Sequence, residues 1–167
     1  GMLGHFNSGT SIPASKIYAD HGIPQIAMAT APAYTQNGYK TTFPIPLAEA
    51  CSWDLQAIEL SARTAAVEAS ASGVHWNFAP MVDIARDPRW GRVMEGAGED
   101  TYLASQIAAA RVKGFQGDTP GATNALLACA KHYAAYGAAI GGRDYNSVDI
   151  SDRMLWEVYL PPFKAAA

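Results

Sequence analysis

Cys51 and Cys129 are the only two cysteines among the 167 residues. They stand far apart without C-x-x-C spacing, which excludes a disulfide framework or a thiolate metal site, and both read as buried thiols. Charge is also scarce, at 16% of residues against about 25% in an average soluble domain. The net charge is −3 and no basic run exceeds two residues. That balance argues against a nucleic-acid or anionic-membrane surface. No apolar run approaches the ~20 residues needed to span a bilayer. Gly1-Met2 lacks the charged lead into an apolar segment that marks a signal peptide.

Chemical signatures are missing as well. His75 and His132 belong to no H-x-H or H-E-x-x-H pattern, so no metal centre is expected. There is no G-x-S-x-G for a serine nucleophile, and no G-x-G-x-x-G or P-loop to cradle a nucleotide. No cofactor is expected on these grounds.

What is present is apolar: 49% of residues are hydrophobic, which excludes intrinsic disorder and suffices for a core. Residues 1–50 are punctuated by Pro13, Pro24, Pro32, Pro44, Pro46 and the Asn37-Gly38 turn signal, with a short strand at 25–29. Leu55, Ile58, Ala62, Ala65 and Ala69 recur at helical spacing between an Asp54 N-cap and a Gly73 stop. Val74, Trp76 and Phe78 alternate in a strand closed by Pro80. A loop over 81–98 leads to a helix over 101–115. The run 126–132 reads as a strand buried on both faces. A Gly- and Asp-rich loop follows over 136–149, then a Ser151-capped helix interrupted by Pro161-Pro162.

Strand, long loop, helix, strand, long loop, helix is the order of an α/β fold with parallel strands and crossover helices. Residues 74–79 and 126–130 should be neighbouring parallel strands with the 101–115 helix crossing between them. Chemistry in such folds gathers at the carboxyl ends of the strands. Two clusters sit there. Asp83-Ile84-Ala85-Arg86-Asp87-Pro88-Arg89-Trp90-Gly91-Arg92 holds three arginines and two aspartates, which cannot all be buried unpaired. It is either a salt-bridged loop with Trp90 plugged inward, or a site. In a site, one guanidinium forks onto an oxygen-rich ligand and Trp90 lends a ring face to a sugar. Asp83, Asp87 and Asp100 are expected to be held by nearby arginines. The second cluster is Ala130-Lys131-His132-Tyr133, where a lysine ending an apolar run needs partners.

These motifs resemble glycoside hydrolase family 3, the β-glucosidase family. The residues that carry the resemblance are Thr42-Phe43-Pro44-Ile45-Pro46-Leu47, Ala79-Pro80-Met81-Val82-Asp83 and Asp87-Pro88-Arg89-Trp90-Gly91-Arg92. To these add Gly98-Glu99-Asp100-Thr101-Tyr102, Ala130-Lys131-His132-Tyr133 and Tyr159-Leu160-Pro161-Pro162-Phe163-Lys164. The match runs from about Tyr39 to Ala167, while residues 1–38 match poorly. It implies part of a (β/α)8 TIM-like barrel, the parent enzyme hydrolysing a terminal β-linked glucose or related sugar with retention. Arg92, Lys131 and His132 would grip hydroxyls of the sugar in the first subsite and should converge on one pocket. The resemblance also implies a non-proline cis peptide at this dipeptide.

Two departures stand out. The family's nucleophilic aspartate and its acid/base fall outside these residues, so no catalytic residue is expected here and the isolated chain should be inactive. A family aspartate that binds sugar is replaced by Tyr34, with Asp20-His21-Gly22 as a weak displaced copy. The segment 157–167 ends without a polar tail, as a piece of something longer would. The implied partners are a β-glucoside or oligosaccharide, the rest of the barrel with a second domain, and a second copy through self-association. A periplasmic or secreted location is favoured by the resemblance. The rival reading is a carbohydrate-binding or partner-completed barrel module without chemistry of its own.

Overall fold

The computed structural model describes residues 2–3, 20, 25–27, 42–119 and 121–167, with side chains described for Asp20 and from Glu49 onward. Three short strands, β1 (Met2–Leu3), β2 (Gln25–Ala27) and β3 (Thr42–Pro44), lie side by side in chain order, all parallel. Gln25 pairs with Thr42 and Ala27 with Pro44. The expected strand at 25–29 is therefore present over its described part, while Tyr34, His21 and Gly22 lie outside the described residues. β3 runs straight into helix α1 (Ile45–Ser52), an element that the proline-rich sequence does not announce.

Helix α2 (Leu55–Ala71) starts where its cap predicts, with the Asp54 carboxylate accepting the Ala57 N–H at 3.0 Å. Beyond Ser72 the chain turns through Gly73 at φ +85°. Helix α3 (Thr101–Gln116) is capped the same way by Asp100, which accepts the Leu103 N–H at 2.7 Å. Asp100 thus serves a helix end and not an arginine, contrary to expectation. α2 and α3 pack through small side chains. Ala62 and Ala66 meet Phe115, Leu126 and Ala79, and Ile58 meets Ile107 and Ala110. At Gly114 a Cβ would stand 2.4 Å from the Glu59 carbonyl and 2.6 Å from the Ala62 Cβ.

Residues 74–82 and 126–131 do pair in parallel, with α3 between them in the chain. Leu127 N–H donates to the His75 carbonyl and Asn77 N–H to the Leu127 carbonyl. Further along, Lys131 N–H donates to Pro80 and Val82 N–H to Lys131. The ladder is interrupted, not continuous. Between its two bridges, Trp76 with Leu127 and Met81 with Lys131, one side advances five residues and the other four. The register slips between His75 and Ala79: Leu127 N–H donates to the His75 carbonyl, but Cys129 N–H donates to that of Ala79.

One face of this ladder lies against α2 and α3. The opposite face is open among the described residues: Trp76, Phe78 and Leu127 are each more than half exposed. The run 126–132 is accordingly buried on one face and not two. Cys51 is likewise exposed and Cys129 only half-buried, because α1 turns Cys51 outward. At the end of the chain, Ser151 caps a short helix α4 (Asp152–Met154). It widens into a π turn at Leu155–Tyr159, and helix α5 (Pro161–Ala166) restarts with proline in its first turn. Val158 and Tyr159 pack on Ile84, Ala104 and Ala135, tying this end to the loop that follows the first ladder strand.

Candidate functional site

The loop after Met81 carries Asp83 inward. Its neighbours Val82, Ile84 and Ala85 are buried, so the carboxylate enters an apolar layer and needs donors. It finds them on the other ladder strand. Asp83 Oδ2 accepts the His132 backbone N–H at 3.0 Å and lies 2.8 Å from His132 Nδ1. Oδ1 has no partner among the described residues. Burial pushes the Asp83 carboxyl above its ordinary range, and the bonds from His132 pull against that rise. The expected arginine partner is thus replaced by a histidine forty-nine residues away. An ionisable side chain in the apolar run Met81-Val82-Asp83-Ile84-Ala85 was the sequence signal, but it could not name the partner.

Arg92 immediately precedes a 3-10 turn at Val93–Glu95, which brings Glu95 round beside it. Arg92 Nε and Nη2 donate to the two Glu95 oxygens, each at 2.7 Å. That bidentate pair raises the Arg92 pKa further above its ordinary value. The guanidinium fork is therefore engaged by Glu95. The remaining nitrogen, Nη1, lies 3.5 Å from His132 Nε2. The structure brings Arg92 and His132 together, forty residues apart in the chain. Lys131 is adjacent to His132 through a cis peptide. It is half-buried, and its ammonium makes no hydrogen bond or ion pair among the described residues.

Tyr136 forms the floor. Its ring lies 5.4 Å below the Arg92 guanidinium carbon and stands edge-on to the His132 ring at 5.0 Å. The Tyr136 hydroxyl donates to Asp144 Oδ1, which also accepts Trp90 Nε1–H at 3.0 Å. Burial, followed by the Asp144 carboxylate, raises the Tyr136 pKa. The bond from Tyr136, then that from Trp90, lowers that of Asp144. Glu95, Tyr136 and Asp144 were not singled out in the sequence. Only the spacing of three between Arg92 and Glu95, suited to a single helical turn, could have signalled one of them.

Trp90 is 1% exposed, and its edge packs on Tyr136 at 5.1 Å. It has no free ring face for a sugar, so the inward-plugged alternative holds. Gly142, at φ +67°, closes over it: a Cβ there would meet Trp90 N at 2.7 Å. Arg86 is exposed, and Arg89 pairs with Asp87 at 2.7 Å on the surface. Of the three arginines, only Arg92 reaches the site.

Comparison with known proteins places this arrangement in a family. Residues 22–167 match the model of the glycosyl hydrolase family 3 N-terminal domain. A periplasmic beta-glucosidase of Salmonella typhimurium is 47% identical over 129 residues, 77% of this chain and 17% of that protein. A putative beta-xylosidase of Formosa agariphila is 36% identical over 147 residues, 87% of this chain and 19% of its own length. Among solved structures, beta-glucosidase from Listeria innocua superposes with a TM-score of 0.72 and 42% identity. That match covers 98% of this chain and 23% of the Listeria chain. The chain thus spans about a fifth of the length of the relatives it matches. It belongs to glycosyl hydrolase family 3, as part of the family's N-terminal domain.

Proposed function

We propose that residues 39–167 form part of a (β/α)8 barrel in a retaining β-glycosidase, and that they supply one wall of its first sugar subsite. The observation that carries this reading is the approach of Arg92 Nη1 to His132 Nε2 at 3.5 Å over the Tyr136 ring. Directional polar groups beside an aromatic floor suit a hydroxylated ring. Lys131, adjacent in the chain and without a partner among the described residues, adds a cation to that wall. The substrate is a terminal β-linked glucose or a related sugar such as xylose, in keeping with the relatives' beta-glucosidase and beta-xylosidase names.

The chemistry itself belongs to two carboxyl groups about 5–5.5 Å apart, one attacking the anomeric carbon and one protonating the leaving oxygen. Both lie outside this chain. The role of these residues is to hold the sugar while its ring flattens, strengthening contacts as the oxocarbenium-like transition state forms. The remainder of the barrel and a second domain cover the open ladder face. A periplasmic or secreted setting follows the Salmonella relative.

The test is turnover of aryl β-glucosides and β-xylosides by the full-length protein and by the 167 residues alone. The full-length protein should be active and the isolated chain silent. Arg92→Ala should lower kcat/KM by about 10- to 100-fold, the size of a lost charge-assisted hydrogen bond. Sugar binding without any turnover by the full-length protein would favour a carbohydrate-binding module instead. Full activity in R92A would remove Arg92 from the subsite.

A further inference from the structure

We propose that Asp83 is a positioning residue that holds His132 as the neutral Nδ1–H tautomer, with the Nε2 lone pair presented beside Arg92. The assignment comes from the groups on either side of the ring. Asp83 Oδ2 accepts the His132 peptide N–H at 3.0 Å, and a peptide N–H can only donate. The same oxygen faces Nδ1 at 2.8 Å. A proton on Asp83 Oδ1 would have nothing to donate to, since that buried atom has no partner among the described residues. A proton on Oδ2, donated to Nδ1, would leave the neutral ring with an Nε2–H facing the Arg92 guanidinium; the carboxylate is therefore an acceptor for both nitrogens, and Nδ1 carries the hydrogen.

The other edge of the ring leads to the same answer. Nε2 lies 3.5 Å from Arg92 Nη1, and a guanidinium offers donors only. A lone pair on Nε2 is attracted to it, whereas an Nε2–H would be opposed by it. The ring cannot turn to exchange its nitrogens without losing the Asp83 bond. Its edge-on packing against Tyr136 at 5.0 Å restrains it further.

The consequence for specificity rests on the sugar-subsite reading above. An acceptor (Nε2) and a donor (Nη1) 3.5 Å apart address a single hydroxyl in both of its capacities. The hydroxyl hydrogen goes to His132, and its oxygen accepts from Arg92. A fluorine at that carbon would still accept but could not donate, and a hydrogen would do neither. Sites built this way reject analogues that leave their buried polar groups unpaired.

Nitrogen-15 NMR of the ring resonances of the full-length protein at neutral pH reads the tautomer directly, with H132Q to assign the signals. The expected result is a protonated Nδ1 and an unprotonated Nε2. An Nε2–H tautomer or a doubly protonated ring in the unmodified protein overturns the proposal. D83A should shift the population toward Nε2–H. D83N, which keeps the shape should D83A fail to fold, should raise KM for an aryl β-glucoside by about 10-fold, the size of one weakened charge-assisted bond. With both substitutions, the penalty for a deoxyfluoro glucoside at the contacted position should shrink toward that of the parent sugar. An unchanged penalty with an unchanged tautomer would show that Asp83 is not the positioning group. A protein that shows the Nδ1–H ring yet binds no sugar would sink the subsite reading while upholding the tautomer assignment.

Discussion

A surface ion pair of the arginine-rich loop shows how little of its charge reaches the site. Arg89 holds Asp87 through both its backbone N–H and its guanidinium, and this lowers the Asp87 pKa to about 2. A carboxyl whose folded pKa is depressed contributes stability that is fully present above its unfolded value of 3.8. That contribution is lost as pH falls through about 2. Carbon-13 titration of the Asp87 carboxyl should therefore show a midpoint near 2, and R89A should return it toward 3.8. A midpoint that ignores R89A would refute the pairing. The buried pair behaves differently. Arg111 is 5% exposed and donates to Glu49 Oε2, while the other Glu49 oxygen accepts Ser61 Oγ–H at 2.8 Å. E49A would strand the Arg111 charge and should cost about 3 kcal/mol in urea unfolding, the lower end for a broken buried pair. A cost below 1 kcal/mol would mean that water reaches the guanidinium.

At the scale of elements, the contact between α2 and α3 decides where the second ladder strand lies, because Leu126 N–H bonds to the Phe115 carbonyl in the last turn of α3. The helices approach closely only because residue 114 lacks a Cβ. In an exposed helix, Gly→Ala gains up to about 1 kcal/mol from propensity alone. Here the added methyl would sit 2.4 Å from a backbone carbonyl, which cannot swing away as a flexible side chain can. Overpacking of this kind costs about 1–3 kcal/mol, so the clash wins. G114A should lower the urea midpoint, and an unchanged or higher midpoint would show that the helices slide apart without penalty. The caps of α2 and α3 were legible to different degrees. Asp54 stands immediately before a helical apolar pattern and reads as a cap. Asp100 lies in a stretch dense with charge, where an ion pair was an equally good use for it.

For the whole molecule, the governing feature is the open ladder face. Trp76 and Phe78 pack edge-to-face at 4.9 Å there, beside Leu127. Contiguous exposed aromatics of this kind associate in water. The isolated 167-residue chain should therefore sediment faster as its concentration rises, and F78K should suppress that dependence. A monodisperse monomer over a hundredfold concentration range would show that the face is covered by other means.

The sequence by itself determined helices α2 and α3, the Ser151-capped start of α4, the parallel pairing, and the presence of Arg92 and His132 after the carboxyl ends of the paired strands. These rest on local periodicity, caps and turn residues, together with the handedness of crossovers. Tertiary structure decided which groups meet. Asp83 went to His132 and not to an arginine, and Glu95 took the Arg92 fork. Trp90 turned inward onto Asp144, and Leu127 stayed uncovered. All but the Arg92–Glu95 pair, which closes within one turn, depend on the register of residues about fifty positions apart, set by the interrupted ladder and by a glycine contact between two helices. Periodicity identifies a face of an element, but only the packed backbone determines which atom lies opposite.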